Sequence, residues 1–206
     1  MATEKTRIAV LVSGGGTNLQ ALIDAQARGD LPDGEIALVI SNNPGAFALQ
    51  RAERACIETA VCVRGTGEDR AAFESGILRK LAACKIDMLI LAGFMAILSA
   101  DFVGRYPDRI INVHPSLIPS FCGAGFYGLR VHEAALAYGV KVTGATVHYV
   151  NEIPDGGRII AQKAVEVQEG DTPETLQRRV MEQAEWILLP QAAQSVSKRI
   201  RLEKNI

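Results

Sequence analysis

The chain has 206 residues, of which 48% are hydrophobic and 22% charged, and its formal net charge is −1. This composition is typical of a globular domain, and so small a charge excludes the broad electrostatic attraction on which nucleic-acid and membrane-surface binding depend. The first residues are polar and precede only a short apolar run, so we expect no signal peptide, no membrane span and a cytoplasmic location. Any anionic ligand must therefore be bound locally, by specific residues.

Buried apolar runs alternate with segments of helical periodicity along most of the chain. The apolar runs predict strands at residues 7–12, 35–40, 60–63, 87–91 and 109–113. Apolar residues at helical spacing predict helices between these strands, at residues 19–29, 46–55, 68–84 and 100–106. Strands that alternate with helices form mainly parallel sheets with right-handed crossovers.

The C-terminal part of the chain has a different pattern. After a predicted helix at 129–138, residues 140–150 and 158–167 alternate between apolar and polar, which predicts an antiparallel pair of strands. Thr172 and Pro173 form a typical start for a long final helix. The sequence therefore predicts an α/β fold in a single domain: a mainly parallel twisted sheet with helices on both faces, antiparallel strands at one edge and a long C-terminal helix.

A glycine-rich turn, SGGGTN at residues 13–18, follows the first strand and opens the first helix. Its backbone N–H groups and the positive end of the helix predict an anion site, for which a phosphate is the natural ligand. A dinucleotide site would need a small residue in place of Leu19 and an acid in place of the SNN run at 41–43, and the lysine of a P-loop is also missing. NAD and ATP are therefore disfavoured, and phosphate binding is favoured over a merely tight turn.

Asn112 and His114 lie two residues apart near the end of a predicted strand, so their side chains share one face of the sheet. Pro115 biases His114 away from helical geometry and places the pair at the strand end, where open α/β sheets bind their ligands. Asp155, in the predicted turn 151–157, reaches this pair only through folding. By itself, the pair is about as consistent with a structural role as with a catalytic one.

These three residues suit acyl transfer without a covalent enzyme intermediate. Asn112 would donate a hydrogen bond to a developing oxyanion, His114 would add a charged donor, and Asp155 would orient the imidazole and stabilise its charge. A metal site is the alternative, since His132 and His148 could converge with them. Their spacing matches no local ligand motif, which disfavours a metal.

Four motifs together resemble the phosphoribosylglycinamide formyltransferases, a folate-dependent family of purine synthesis. The motifs are SGGGTN at 13–18, LAGFM at 91–95, INVHPSLIP at 111–119 and DGG at 155–157. The pattern N-x-H-P-S-L-x-P with a later aspartate is shared by folate formyl-transfer enzymes generally. The glycine-rich loop, and the expectation that no further C-terminal domain is present, narrow the resemblance to this family.

The resemblance implies a Rossmann-like formyltransferase domain over 1–206, with a phosphate-binding half at about 1–105 and a catalytic, folate-binding half at about 106–206. It implies no metal and a catalytic role for Asn112, His114 and Asp155. For the ribonucleotide substrate it implies binding by Gly16, Thr17, Asn18 and Glu185. For the folate it implies binding by Arg70, Met95, Ala96, Ile97, Leu98 and Asn112. The chain has Ala96 where the family often has arginine, so that side-chain contact is lost.

The implied reaction is direct formyl transfer from 10-formyltetrahydrofolate to the amine of 5-phosphoribosylglycinamide in a ternary complex. The partners would be these two small molecules, with no nucleic acid and no membrane, and a homodimer is left open. One rival is a formyltetrahydrofolate deformylase, which would offer water in place of the amine. A methionyl-tRNA formyltransferase should carry a basic nucleic-acid-binding domain. A non-catalytic folate- or nucleotide-sensing module is the remaining alternative.

Overall fold

The computed structural model describes residues 4–65, 67 and 69–204, and in this part of the chain seven strands form a single sheet. The strands are β1 (Thr6–Val12), β2 (Gly34–Ser41), β3 (Glu58–Val61), β4 (Met88–Leu91), β5 (Ile110–His114), β6 (Val142–Tyr149) and β7 (Ile159–Glu166). Their spatial order is β3-β2-β1-β4-β5-β6-β7. β1 to β5 pair in parallel, whereas β6 is antiparallel to β5 and β7 is antiparallel to β6. This confirms the predicted sheet and its antiparallel edge.

Helices cover both faces of the sheet. They are α1 (Thr17–Arg28), α2 (Phe47–Arg54), α3 (Arg70–Ala83), α4 (Ala100–Gly104), α5 (Leu129–Tyr138), α6 (Pro173–Val180) and α7 (Trp186–Glu203). A π-helical turn, Met181–Glu185, separates α6 from α7. Within the described ranges, no helix combines the length and the apolar character that crossing a membrane requires.

β1 illustrates why the sheet has a core on each side. Ile8 and Val10 pack on one face with residues of α1, α2, α6 and α7, while Ala9 and Leu11 pack on the other with α3 and α4. All four side chains are fully buried. Because strand side chains alternate between faces, a strand covered on both sides needs a continuous apolar run. That is the pattern from which residues 7–12 were predicted to form a strand.

Element boundaries differ from prediction in a few places. The strand predicted at 60–63 lies at Glu58–Val61, because it pairs with Leu38–Ser41 and its ladder ends where β2 ends. The helix predicted at 68–84 begins at Arg70, and its predicted first residue, Glu68, lies outside the described residues.

The predicted C-terminal helix begins as expected but is interrupted. Thr172 and Thr175 form a reciprocal capping box, and Pro173 occupies the first turn of α6. The π turn then adds a residue to the helical repeat and changes the direction of the side chains that follow. This turn carries Glu185 and directs it towards the start of α1, as described below.

Gly144 lets β7 and the segment after β5 approach β6 closely. A Cβ atom on Gly144 would lie 2.1 Å from the Lys163 carbonyl oxygen and 2.9 Å from Cδ2 of Leu117. We expect Gly144→Ala to lower the free energy of unfolding by about 1–3 kcal/mol through overpacking, measured by urea denaturation. Gly104→Ala is the matched control, because a Cβ atom there meets no atom within 4 Å. Equal stability of the two variants would contradict this account.

Candidate active site

The candidate site lies at the carboxyl ends of β1, β4 and β5. β1 has β2 on one side and β4 on the other, so the direction of strand succession reverses between β1 and β4. Open α/β sheets bind ligands in the crevice at such a switch point. The two loops that leave these strands are joined there, since the Met95 N–H donates to Oγ of Ser13 at 2.9 Å.

The glycine-rich loop is shaped by close packing against α2. Gly16 has φ +73°, and a Cβ atom there would lie 2.6 Å from Cβ of Ala48, so glycine is required on both counts. The Ala48 N–H donates to the Gly14 carbonyl at 3.1 Å, which fixes the loop to α2. α1 begins at Thr17, and no side chain caps its N-terminus. Its first N–H groups are therefore directed at the loop, as a phosphate site requires.

Arg51 supports this loop from behind, a role that sequence reasoning missed. Its Nε donates to the Gly15 carbonyl at 2.8 Å, and its Nη1 donates to Oε1 of Gln20 at 3.0 Å. The guanidinium also lies 5.0 Å from the centre of the Phe47 ring. Nothing in the sequence around Arg51 distinguishes it from its helical neighbours, because its partners lie on other elements.

The structure brings Glu185 to the first turn of α1. Nδ2 of Asn18 donates to Oε2 of Glu185 at 2.6 Å, and Oδ1 of Asn18 is buried with no partner among the described residues. Glu185 is only 5% exposed. Burial raises the pKa of its carboxyl to about 7, although the hydrogen bond from Asn18 opposes this shift. Gly16, Thr17, Asn18 and Glu185, all predicted to bind the ribonucleotide, thus lie together.

Asn112, His114 and Asp155 also come together, although Asp155 belongs to a distant turn. Oδ2 of Asp155 lies 3.5 Å from Nδ1 of His114, and its Oδ1 lies 3.5 Å from Nδ2 of Asn112. The His114 and Asp155 side chains are 5% and 14% exposed. Asn112 and His114 are alternate residues of β5, so their side chains lie on the same face of the sheet, as predicted. One carboxylate can therefore contact both side chains.

The turn that carries Asp155 is held by backbone contacts. Asp155 has φ +56°, and a Cβ atom on Gly157 would lie 1.7 Å from the Tyr149 carbonyl oxygen. Oδ2 of Asp155 accepts a hydrogen bond from the Gly123 N–H at 2.8 Å. Burial raises the pKa of this carboxyl, but interactions with His148, His114 and the Gly123 N–H outweigh burial and leave the pKa below its ordinary value. Asp155 is therefore ionised at neutral pH.

His114 is fixed through both ring nitrogens. Its Nε2 lies 2.9 Å from the Phe121 carbonyl oxygen, and because a carbonyl only accepts, this nitrogen carries a hydrogen. Nδ1 faces Asp155, so a second proton on Nδ1 would make an imidazolium paired with the carboxylate.

His148 is a further member of the site whose position sequence reasoning left open. It is paired with Asn112 in the antiparallel register of β5 and β6 and is 2% exposed. Nε2 of His148 lies 3.1 Å from Nδ2 of Asn112 and 3.6 Å from Oδ1 of Asp155. Its Nδ1 donates to the Tyr149 carbonyl at 2.8 Å, which directs Nε2 at both Asn112 and Asp155. Only the strand register could have revealed this pairing.

A cavity of about 120 Å³, which we call the Asn112 pocket, adjoins the Asn112 side chain. Ala96, Ile97 and Leu98 line one side of it, and Asn112, His148 and Asp155 line the other. The predicted folate residues do not all meet here. The Met95 side chain is 53% exposed and contributes a backbone contact to Ser13, while Arg70 lies in the first turn of α3 and lines a separate cleft.

Comparison with known proteins identifies the family. A family model described as formyl transferase matches residues 6–192, most of the chain. The chain belongs to the formyl transferase family. The phosphoribosylglycinamide formyltransferase of Haemophilus influenzae is 39% identical over 201 residues, which are 97% of this chain and 92% of that protein.

Two further relatives support the assignment to the formyl transferases. The trifunctional purine biosynthetic protein adenosine-3 of Gallus gallus is 46% identical over 195 residues, but the chain spans only 19% of that longer protein. The crystal structure of glycinamide ribonucleotide transformylase 1 from Symbiobacterium toebii has a TM-score of 0.88 and 38% identity, covering 97% of this chain and 94% of that one.

Three histidines, His114, His148 and His132, lie at or near the site of this formyl transferase. In the part of the chain that is described, no group of three or more His, Cys, Asp or Glu side chains is arranged to hold a metal ion. His132 is fully buried in α5 with both ring nitrogens unpartnered by any described residue. Burial, together with His114, lowers the pKa of His132 to about 4, so this ring is neutral at pH 7.

The support that Arg51 gives to the glycine-rich loop can be tested with a simple sugar phosphate. We expect Arg51→Gln to weaken binding of ribose 5-phosphate about tenfold, because a charge-assisted hydrogen bond and a nearby positive charge are lost. Calorimetric titration measures the effect. Arg54→Gln is the matched control, since Arg54 lies on the same helix and over the same Phe47 ring but has no hydrogen bond to the loop. Equal weakening in both variants would contradict a specific role for Arg51.

The buried Glu185 carboxyl predicts a pH dependence of stability. Its folded pKa of about 7 exceeds the ordinary value of 4.5, so its stabilising protonated form is fully present below about pH 4.5. That contribution, roughly 3 kcal/mol, is lost as the pH rises towards 7. We expect Glu185→Gln to remove this loss, so that urea denaturation at pH 5 and pH 8 shows a smaller decline for the variant than for the parent. Parallel declines would exclude Glu185 as the titrating group.

Proposed function

We propose that this formyl transferase transfers the formyl group of 10-formyltetrahydrofolate to the primary amine of 5-phosphoribosylglycinamide. The single observation that carries the proposal is the position of Asn112, His114 and Asp155 between a phosphate-type loop and the Asn112 pocket. The relative in Haemophilus influenzae, 92% of which this chain covers, is named a phosphoribosylglycinamide formyltransferase. The deformylase has no comparable support, because it needs no phosphate loop beside the catalytic residues, whereas a sensing module would bind its ligand without turnover.

Each half of the proposed ternary complex has a binding region. The loop at Gly16, Thr17 and Asn18 would bind the ribonucleotide phosphate, with Glu185 beside it. The Asn112 pocket, walled by residues 96–98, would hold the folate ring, since apolar walls with convergent polar groups suit a flat heterocycle. The carboxyl-terminal half would thus supply both the catalytic residues and the folate pocket.

In the proposed reaction the substrate amine attacks the formyl carbon, and the carbonyl electrons move onto oxygen. Nδ2 of Asn112 and the protonated imidazole of His114 donate hydrogen bonds to this oxyanion, while the ionised Asp155 stabilises the imidazolium. In the structure, Nε2–H of His114 is donated to the Phe121 carbonyl, so an oxyanion that takes this hydrogen bond must replace that carbonyl. His148 holds the Asn112 amide in place.

Collapse of the tetrahedral species breaks the bond between the formyl carbon and N10 of the folate. The attacking amine loses a proton and N10 gains one, so no net proton is consumed. His114, or a water ordered by Asp155, would carry this proton. Holding both substrates at one end of the sheet converts a bimolecular encounter into a step within one complex, which supplies several kcal/mol of the rate enhancement.

The test is a formyl-transfer assay with both substrates and with each substrate alone. We expect transfer only when both are present, and we expect His114→Ala and Asp155→Asn to lower kcat about 100-fold or more. Asp30→Asn is the matched control for Asp155→Asn, because Asp30 is an exposed carboxylate paired with Arg28 near the far end of α1, and it should retain parental activity.

Three outcomes would contradict the proposal. Rapid formate release without the ribonucleotide would indicate a deformylase. Tight binding of both ligands with no turnover in the parent would indicate a sensing module. Parental kcat in His114→Ala would exclude the assigned mechanism even if transfer occurs.

A further inference from the structure

A groove of about 290 Å³ runs along the exposed side of α1, and we call it the Trp186 groove. α1 packs against both α2 and α7. The groove is lined by Arg51 of α2, by Trp186 of α7 and by five residues of α1 between Thr17 and Arg28. Its volume is close to that of the smallest ligand pockets, roughly 300 Å³. Apart from Thr17 and Arg51, none of its residues has a role in the function proposed above.

The Trp186 groove is continuous with the glycine-rich loop. Thr17 lines the groove and is also the first residue of α1, where the loop ends. Arg51 donates to the Gly15 carbonyl at 2.8 Å, and Trp186 directly follows Glu185, whose carboxyl contacts the first turn of α1. Both walls of the groove therefore adjoin the loop, and a ligand whose phosphate lies at the loop can extend into the groove.

The walls and floor of the Trp186 groove suit a flat aromatic ring. The Trp186 side chain is half-buried, and its Nε1 is buried without a hydrogen-bond partner among the described residues, although buried indole N–H groups usually have one. A hydrogen bond therefore does not explain why an indole lies here, whereas its ring offers a surface for stacking. Arg51 adds a guanidinium, a group that also stacks on aromatic rings. On the floor, Ala21 has only a methyl group, so a flat ring can approach α1 closely.

Asp24 determines which ring fits the Trp186 groove. Its carboxylate is exposed, accepts a hydrogen bond from Nε2 of Gln20 at 2.8 Å and forms no ion pair with a described residue. A carboxylate only accepts hydrogen bonds, so a ring that faces it must offer donors. Guanine presents two adjacent N–H donors on one edge, whereas the same edge of adenine has a donor beside an acceptor. Asp24 lies seven residues beyond Thr17, a rise of about 10 Å, which the ribose and base of a nucleotide can span.

We propose that the Trp186 groove binds the guanine ring of a nucleoside 5′-monophosphate whose phosphate occupies the glycine-rich loop. The ring stacks on Trp186, and its N–H donors face Asp24. Because 5-phosphoribosylglycinamide would use the same loop, the nucleotide competes with this substrate and inhibits formyl transfer. The inference rests on the proposed function for the phosphate position and for the competition, whereas the contacts with the ring are independent of it.

Fluorescence tests binding directly, because Trp186 is the single tryptophan of the chain. We expect GMP to quench this fluorescence and to bind the parent about tenfold more tightly than ribose 5-phosphate, since a stacked base adds to the binding of the phosphate. AMP should bind more weakly than GMP, because it presents an acceptor to Asp24. Equal affinities for GMP and ribose 5-phosphate would overturn the inference, and equal affinities for GMP and AMP would overturn the choice of guanine.

Two variants locate the ring by calorimetric titration. Ala21→Leu fills the floor of the groove with a good helix former, and Trp186→Leu removes the stacking surface. Each should lower the affinity for GMP to that for ribose 5-phosphate and leave the affinity for ribose 5-phosphate at the parental value. Ala27→Leu is the matched control, because Ala27 lies on the same helix but lines a neighbouring cleft, and it should bind GMP like the parent. Parental affinity for GMP in Ala21→Leu and Trp186→Leu would overturn the inference.

Kinetics separate this inference from the proposed function. If the parent transfers no formyl group, the proposed function fails, and the two binding experiments still decide whether the groove holds a guanine ring. If transfer occurs, GMP should raise the KM for 5-phosphoribosylglycinamide and leave kcat unchanged. Ala21→Leu should keep the parental KM and kcat without GMP and should lose the inhibition. Inhibition of Ala21→Leu as strong as that of the parent would contradict binding in the Trp186 groove.

Discussion

The carboxylate of Asp155 is the interaction on which the rest of the site depends. It faces His114 on β5 and His148 on β6, and it accepts the Gly123 N–H from the loop after β5. Three separate segments of the chain are therefore held around one charge. Burial alone would favour the neutral acid, but these partners keep the pKa of Asp155 low. The ionised carboxylate therefore interacts with the loop at Gly123, with the end of β5 at His114 and with β6 at His148.

The sheet order explains why two candidate ligand regions lie near this carboxylate. The reversal between β1 and β4 opens a crevice, with the glycine-rich loop on the β1 side and residues 96–98 on the β4 side. Ser13 and Met95 join the two loops across it. β5 follows β4 in the sheet, so Asn112 and His114 border the same crevice. An acceptor held by the loop and a donor held in the Asn112 pocket would meet at these two side chains.

The C-terminal segment adds a buried carboxyl to the glycine-rich side of the crevice. The π turn places Glu185 against Asn18, a residue 167 positions earlier in the sequence. The proposed phosphate-binding half, at about 1–105, therefore contacts the buried carboxyl of Glu185, which belongs to the other half of the chain. In this arrangement Oδ1 of Asn18 is buried with no partner among the described residues, and burial raises the pKa of Glu185. Such unsatisfied polar groups are costly inside a protein and are typical of binding sites.

Much of this structure could be predicted from local patterns. Backbone geometry fixes the alternation of side chains along a strand and the repeat of a helix, so the sheet class, the helices and the capping of α6 by Thr172 could be predicted without tertiary information. The same geometry placed Asn112 and His114 on one face. The glycine-rich turn could also be recognised, because a strand that ends in consecutive glycines and then begins a helix has few other uses.

Only the tertiary structure decided which distant residues meet. The β5–β6 register places His148 opposite Asn112, the turn after β6 carries Asp155 to His114, and the π turn carries Glu185 to Asn18. Arg51 contacts the glycine-rich loop because α2 packs against that loop. None of these contacts has a local signature, since each depends on strand order and crossover paths that packing of the whole chain selects. The sequence by itself determined the elements and the chemical groups at the end of β5, whereas long-range packing determined how those groups became a site.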